Sequence, residues 1–128
     1  MITAYLAGIS NPFEGEDIEI RYCIYDDQEV ICKKSILLDY QKPSIVGQVA
    51  LIKLLNEMKE YRGKDIVVIV NDSTMNEIVK GTTTTKNADV QKIAVKSRQK
   101  FDRFKNIVIK DVSKNHEELV KWNEILKF

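Results

Sequence analysis

Apolar residues in the first third of the chain occur in the short runs and alternations that are typical of strands. Residues 2–9 form an apolar segment that ends before Ser10-Asn11-Pro12 and predicts a first strand. Residues 18–25 alternate with period two, and residues 29–38 continue the β-rich pattern. Because Asp27-Gln28 between them can form a two-residue turn, the second and third strands are predicted to form a hairpin.

The apolar spacing then changes to that of a helix. Apolar side chains between residues 46 and 58 recur with a period near 3.6, which predicts a helix with a broad apolar face. Ser44 is the expected N-cap of this helix, and Gly63 is expected to close it. Residues 65–70 form an apolar run, which predicts a buried, central and parallel strand.

Two further helices are predicted in the following segment. A short helix begins at Ser73 and ends at Gly81 and the four threonines of residues 82–85, which suit a loop or an extended segment. Asn87 is expected to cap a long helix that reaches about Phe104. Its apolar face includes Phe101 and Phe104, which are expected to lie in the core.

The last part of the chain predicts a strand over residues 106–112 and a helix over residues 115–128. In that helix, Leu119, Trp122, Ile125 and Leu126 are expected to pack inward. The resulting order is β-β-β-α-β-α-α-β-α. This order predicts one α/β domain over residues 1–128, with helices packed on a sheet.

Composition narrows the class of protein without indicating an activity. The 128 residues are 44% hydrophobic and 30% charged, which excludes a disordered, collagen-like or disulfide-packed chain. No apolar run is long enough for a membrane span, and no secretory signal is recognisable, so we expect a cytoplasmic protein. Cys23 and Cys32 are the only cysteines. A regular hairpin would place them face to face, but we expect reduced thiols and leave open whether they pair.

The net charge of +1 conceals an uneven distribution. Residues 1–60 carry six basic and ten acidic side chains, whereas residues 86–105 carry seven basic and two acidic ones. A basic stripe of this kind is typical of a phosphate-binding surface or of a solvated helix face. Both interpretations stay open on charge alone.

The order of elements and four motifs resemble the ribonuclease H family, specifically type 1 ribonuclease H. Residues 5–12, Tyr-Leu-Ala-Gly-Ile-Ser-Asn-Pro, are similar to the family's first strand and its Asp-Gly-Ser turn. Residues 42–55 resemble its Thr-Asn-Asn-x-Ala-Glu segment and first helix, and residues 67–73 its strand that ends in Asp-Ser. Residues 86–90 resemble its Asn-x-Asp-Leu motif. The resemblance implies a mixed five-stranded sheet, three antiparallel strands followed by two more, flanked by helices.

The resemblance also implies where a catalytic site would lie. The family's chemistry uses four acidic positions around two Mg²⁺ ions. These positions fall here on Ala7, Gly47, Asp72 and Asn123, so only Asp72 is a carboxylate. Asp72 alone would hold one Mg²⁺ weakly at most, and ribonuclease H catalysis is expected to be absent or very weak. No resident cofactor is expected, and Mg²⁺ or Mn²⁺ would matter only for residual activity.

Two alternative roles of the remaining acidic residues stay open. His116, Glu117 and Glu118 are the only other candidate ligands expected near the site, but an exposed helix N-terminus with favourable acidic residues is the preferred explanation for them. Asp72 also fits the N-cap of the helix that begins at Ser73.

The basic stripe fills the position of the family's nucleic-acid-binding handle in this resemblance. The candidate phosphate contacts are Lys86, Lys92, Lys96, Lys100 and Arg103. The expected function is therefore a catalytically degenerate domain that binds an RNA/DNA hybrid or structured RNA. The alternatives are a protein-interaction or structural subunit, which includes a homodimer, and an active metal-dependent ribonuclease with an altered site. We expect no membrane association.

Overall fold

Five strands form one sheet in the computed structural model, which describes residues 1–11, 13–82 and 85–128. The strands are β1 (Ile2–Ile9), β2 (Ile18–Asp26), β3 (Glu29–Leu38), β4 (Asp65–Val70) and β5 (Asn106–Asp111). The helices are α1 (Val46–Glu57), α2 (Met75–Lys80), α3 (Ala88–Phe101) and α4 (His116–Ile125), with a 3₁₀ turn at Lys59–Tyr61. No helix in these ranges is both long and apolar enough to cross a membrane.

The sheet is mixed and its strand order is β3-β2-β1-β4-β5. Strand β2 is antiparallel to β1 and β3, whereas β4 is parallel to β1 and β5. The predicted element order and the mixed five-stranded sheet are therefore confirmed. Strand β4 lies inside the sheet as predicted, and Ile66, Val68 and Val70 are buried because they point to the same face.

The main core lies between one face of the sheet and α1. Alternate residues of β1 and β2 point to this face, and Leu51, Leu54 and Leu55 of α1 are almost fully buried against them. Burial of each such side chain contributes about 1.5–3 kcal/mol. Gly8 allows a close approach of α1 to β1, because a Cβ there would lie 3.0 Å from the Val46 carbonyl oxygen. The start of α1 is thereby held against the end of β1.

The opposite face of the sheet carries a smaller core under α4. Tyr5, Ala7 and Cys23 are buried there, together with Leu126 just beyond the helix. Arg21 donates a hydrogen bond of 3.2 Å to the Leu126 carbonyl oxygen, which anchors the end of the chain to β2. The inward side chains of α4 itself, Leu119, Trp122 and Ile125, are only partly buried.

The hairpin contains the predicted turn but not the predicted register. Asp26 pairs with Glu29 across Asp27-Gln28, but a bulge after Ile24 leaves one extra residue in β3. Cys32 therefore pairs with Ile24, and Cys23 lies opposite Lys33 rather than opposite Cys32. The predicted facing of the two cysteines is wrong, because the bulge shifts the ladder by one residue. Cys23 belongs to the core under α4, whereas Cys32 packs against the core under α1, and both thiols are free.

Two predicted ends of α1 also differ from the structure. Ile45 occupies the N-cap position and no side chain caps the helix, so Ser44 is not the N-cap. Met58 ends α1, and the 3₁₀ turn follows before Gly63 is reached. The apolar Met58 side chain is fully buried at this point, before the glycine that was expected to close the helix is reached.

The later helices agree more closely with the sequence. Gly81 ends α2 with a φ of +74°, and Asn87 caps α3 by accepting hydrogen bonds from the Asp89 and Val90 amides. Helix α3 ends at Phe101, and Phe104 beyond it is buried in the core as expected. Helix α4 begins after its N-cap, Asn115. Part of the predicted threonine loop, residues 83 and 84, lies outside the described residues.

Candidate functional site

A cavity of about 160 Å³ lies where the carboxyl ends of β1 and β4 meet the start of α1. These strands are parallel and Leu6 pairs with Val70, so their carboxyl ends lie side by side. In sheets of this kind, functional sites commonly lie beyond the carboxyl ends of parallel strands. Ala7, Gly47, Asp72 and Trp122 all line the cavity.

Gly47 and Asp72 face each other closely across this cavity. A Cβ at position 47 would lie 3.0 Å from Asp72 Oδ2, so a side chain there would require Asp72 to move. The other oxygen, Oδ1, accepts hydrogen bonds from the Thr74 backbone amide at 2.9 Å and the Thr74 hydroxyl at 2.7 Å. Asp72 therefore shapes the turn before α2 and does not cap a helix from Ser73, because α2 begins at Met75 with Thr74 as its N-cap. The cavity retains one carboxylate oxygen on this side.

The α4 side of the cavity is formed by Trp122. The indole Nε1 donates a hydrogen bond of 3.1 Å to the Leu6 carbonyl oxygen, which fixes the ring beside the end of β1. Asn123, the expected fourth position, is exposed and is not among the residues that line the cavity. The structure therefore brings together Ala7, Gly47 and Asp72 but places Trp122, not Asn123, beside them.

The substitute ligands near the start of α4 do not line the cavity either. His116 and Glu117 are exposed, and Glu118 forms an ion pair with Lys110 of β5. Within residues 1–11, 13–82 and 85–128, no group of three or more His, Cys, Asp or Glu side chains is placed to hold a metal ion. Mg²⁺ is usually held by one or two carboxylates together with substrate phosphates and water, and Asp72 is the only carboxylate among the described residues that line this cavity, so these side chains do not fit a pair of ions.

Asp111 is a carboxylate near the site that the sequence interpretation missed. It ends β5 and pairs with Val70, beside the end of β4. Partial burial raises its pKa, but hydrogen bonds from the Ser113 backbone and hydroxyl and from the Asp72 backbone outweigh this, so its pKa is lowered. The hydrogen bonds from Ser113 are 2.9 Å and 2.7 Å long. Its position near the end of the strand predicted over residues 106–112 was the signal that could have identified it.

The basic side chains of the sequence prediction are spread along the whole of α3. Lys86 precedes the helix, Lys92 and Lys96 are exposed on it, and Arg103 follows its end. From Lys92 to Arg103 a helical rise would cover about 16 Å. The five cations therefore form a stripe rather than one cluster.

Lys59 and Arg62 join the far end of this stripe, although the sequence did not point to them. Lys100 donates a hydrogen bond of 2.9 Å to Asn56 Oδ1 of α1, which ties the end of α3 to the end of α1. Burial and the charges of Lys59, Arg103, Lys96 and Arg62 lower the pKa of Lys100.

The sheet order and the placement of the helices define a ribonuclease H-like fold. In this fold three antiparallel strands, β3, β2 and β1, are followed in the sheet by β4 and β5, which run parallel to β1. Helix α1 connects β3 to β4 along the chain. The fold that the sequence resemblance implied is confirmed by solved structures. No protein-family model and no curated protein sequence matches the chain.

Three solved structures illustrate the similarity of fold. Ribonuclease H1 from the halophilic archaeon Halobacterium salinarum superposes with a TM-score of 0.77 at 17% identity, covering 91% of this chain and 89% of that one. The N-terminal ribonuclease H domain of rv2228c from Mycobacterium tuberculosis gives 0.74 at 14% identity, with 91% and 90% covered. LC11-RNase H1 in complex with an RNA/DNA hybrid gives 0.78 at 16% identity, with 98% and 94% covered.

Proposed function

We propose that residues 1–128 act as a single ribonuclease H-like domain that binds nucleic acid without cleaving it efficiently. The proposed ligand is an RNA/DNA hybrid or structured RNA, and the proposed location is the cytoplasm. The observation that carries the proposal is the cavity at the ends of β1 and β4, where Asp72 faces Gly47 and Ala7. A basic stripe along α3, together with a cavity that is lined by a single carboxylate, suits phosphate binding better than metal-dependent hydrolysis.

The lack of efficient cleavage follows from the chemistry of the cavity. Metal-dependent hydrolysis needs ions held by several oxygen ligands, one to activate water and one to stabilise the leaving oxygen. Ala7 and Gly47 offer no side-chain oxygen, and Trp122 offers a nitrogen donor that is already bonded to Leu6. Neither water activation nor leaving-group stabilisation has the ligands that it needs. Asp72 is the proposed remnant of the site.

Nucleic-acid binding follows from the charges on α3. Phosphate contacts require basic side chains and positioned polar groups, not the carboxylates of a metal site. Lys86 and Lys92 lie on the half of the stripe that is nearer the start of α3, and both are exposed. LC11-RNase H1, whose fold this chain shares, was solved in complex with an RNA/DNA hybrid, which supports the choice of ligand.

The proposal is tested by one titration of a labelled RNA/DNA hybrid, with and without Mn²⁺, scored for binding and for cleavage. We expect binding that weakens steeply with salt, and no cleavage. Lys86→Gln/Lys92→Gln should weaken binding, whereas the matched control Lys114→Gln/Lys121→Gln, which removes the same charge from exposed positions at α4, should not.

Two results would overturn the proposal. Metal-dependent cleavage that Asp72→Asn abolishes would mean that the domain is an active ribonuclease with an altered site. Failure of the wild-type domain to bind hybrid or structured RNA at low salt would favour the interpretation as a protein-interaction or structural subunit.

A further inference from the structure

Five basic side chains gather where α1 and α3 both end, and we call them the distal cluster. Its members are Lys59, Arg62, Lys96, Lys100 and Arg103. Arg62 lies just before β4 and Arg103 just before β5, and both strands start at the same end of the sheet because they are parallel. The cavity lies at the other ends of the parallel strands. Six residues of β4 separate the two regions, or about 16 Å.

Packing of α1 against α3 holds the distal cluster together. The hydrogen bond from Lys100 to Asn56 joins two elements that are 44 residues apart in sequence. The Lys105 amide donates a 2.9 Å hydrogen bond to the Arg62 carbonyl oxygen, which fixes the segment after α3 beside the segment after α1. The Arg62 guanidinium carbon lies 5.8 Å from the centre of the Phe104 ring. The cations are therefore held in place by the fold and not by one flexible loop.

The cations of this cluster are not held in ion pairs in the part of the chain that the structure describes. None of its five members takes part in an ion pair within residues 1–11, 13–82 and 85–128. The buried Arg62 Nε has no hydrogen-bond acceptor there either. Burial lowers the pKa of Lys100 first, and the charges of its four basic neighbours lower it further, which agrees with the closeness of these cations.

We infer that the distal cluster is a second contact surface for a nucleic-acid phosphate backbone, separate from the cavity and independent of base sequence. The inference rests on the proposed function and adds Lys59 and Arg62 to its contacts. A nucleic acid that reaches both halves of the stripe would lie along α3, from Lys86 to Arg103, and would cross onto the end of α1.

Helix dipoles give a purely structural explanation that the experiment must separate from binding. Cations near the carboxyl ends of α1 and α3 interact favourably with the partial negative charge there. On that explanation alone, removal of Lys59 and Arg62 would change stability without changing affinity for nucleic acid.

The test compares the salt dependence of binding in three forms of the chain. A labelled single-stranded oligonucleotide and a labelled hybrid are titrated by fluorescence anisotropy between 50 and 200 mM KCl. The variants are Lys59→Gln/Arg62→Gln and the charge-matched control Lys114→Gln/Lys121→Gln, and a melting curve checks that each is folded.

If both cations contact phosphate, the slope of log affinity against log salt should fall by about 0.7–0.9 for each. Across that salt range, the Lys59→Gln/Arg62→Gln variant should then lose roughly ten-fold less affinity than wild type. The control should keep the wild-type slope. An unchanged slope in Lys59→Gln/Arg62→Gln overturns the inference, even if its melting temperature falls.

Two further arms separate this inference from its alternatives. If wild type binds and Lys86→Gln/Lys92→Gln weakens binding while Lys59→Gln/Arg62→Gln does not, the inference fails and the proposed function stands. If wild type binds no oligonucleotide, the proposed function is wrong, and the inference that rests on it is wrong as well. A poly-glutamate peptide and an oligonucleotide of equal charge are also compared as competitors. If the peptide competes as effectively as the oligonucleotide, the distal cluster binds an acidic protein surface, and the inference is wrong.

Discussion

The two ends of α1 differ in what they present to solvent. At its start, Gly47 leaves space in front of Asp72, and the cavity there is lined mostly by small or apolar residues. At its end, Asn56 accepts a hydrogen bond from Lys100, and Lys59 and Arg62 follow within two turns. The helix separates these regions by about 14 Å. One packed helix therefore joins an acid-poor cavity to a strongly basic surface. The packing of α1 depends on its buried apolar side chains and not on the polar or charged residues at either end.

The largest expected effect comes from the middle of α1, on which both ends depend. Leu54 is fully buried in the core, so Leu54→Ala should lower the free energy of unfolding by about 2–5 kcal/mol through lost transfer energy and the cavity left behind. Val95→Ala, at a side chain that is 46% exposed on α3, should change it by less than about 0.5 kcal/mol. Urea unfolding of both variants provides the measurement. Equal effects would show that α1 is not the element that holds the two ends together.

The cavity end can be examined with its two glycines. Gly8→Ala forces a Cβ to within 3.0 Å of the Val46 carbonyl oxygen and 3.1 Å of Ala50 Cβ, so we expect a loss of about 1–3 kcal/mol. Gly47→Ala meets the Asp72 carboxylate, a side chain that can rotate, and gains helix propensity of up to about 1 kcal/mol. Its net effect should be within about 1 kcal/mol of zero. Thermal melts compare them, and a larger loss for Gly47→Ala would contradict this assignment of the close approaches.

The start of α3 should be separable from the distal cluster at its end. Asn87→Ala removes the side chain that accepts from two backbone amides and should cost about 1 kcal/mol, whereas Ser44→Ala should be close to neutral because no side chain caps α1. Amide exchange should accelerate at Val90 and Gln91 but not near Lys100. Acceleration along the whole of α3 would show that the two halves of the stripe are not independent.

The smallest expected effect concerns pH and Asp111. The pKa of Asp111 is lowered in the folded chain, so its hydrogen bonds to Ser113 stabilise the fold above the ordinary pKa of an aspartate. This contribution is lost as pH falls through the folded-state pKa. Because the group is partly exposed, the effect should be about 1 kcal/mol or less. Asp111→Asn should flatten stability against pH in that acidic range, as measured by denaturant unfolding from pH 2 to 6, and an unchanged pH profile would contradict this role.

Sequence periodicity was sufficient to predict the helices and strands and their order, because the apolar spacing of residues 46–58 and the apolar run of β4 are strong local signals. It was insufficient where a shift of one residue changes the pairing of a strand or the face of a helix. The extra residue in β3 moved Cys32 out of register with Cys23, and no local signal marks that bulge. One residue on α4 corresponds to a rotation of about 100°, which is why Trp122 and not Asn123 meets the cavity.

The distal cluster could not be predicted because it depends on tertiary contacts. Lys59 and Arg62 lie in residues 57–65, which carry three basic and three acidic side chains, so the sequence showed no net excess there. Only the packing of α1 beside α3, with Lys100 bonded to Asn56, places them next to the cations of the stripe. The role of Asp72 and of the basic side chains in function stays a prediction until binding is measured.

The bulge in β3 has a consequence for the behaviour of the protein in concentrated solution. Strand β3 lies at the edge of the sheet and spans ten residues, a length that offers another chain a template for strand addition. The bulge interrupts the regular spacing of its backbone groups near Val30 and Ile31, two exposed apolar side chains, and Lys33 and Lys34 follow at once. A bulge and charged residues on an edge strand both oppose edge-to-edge aggregation. The irregularity that separates the two cysteines thus also disfavours the pairing of another chain with this edge.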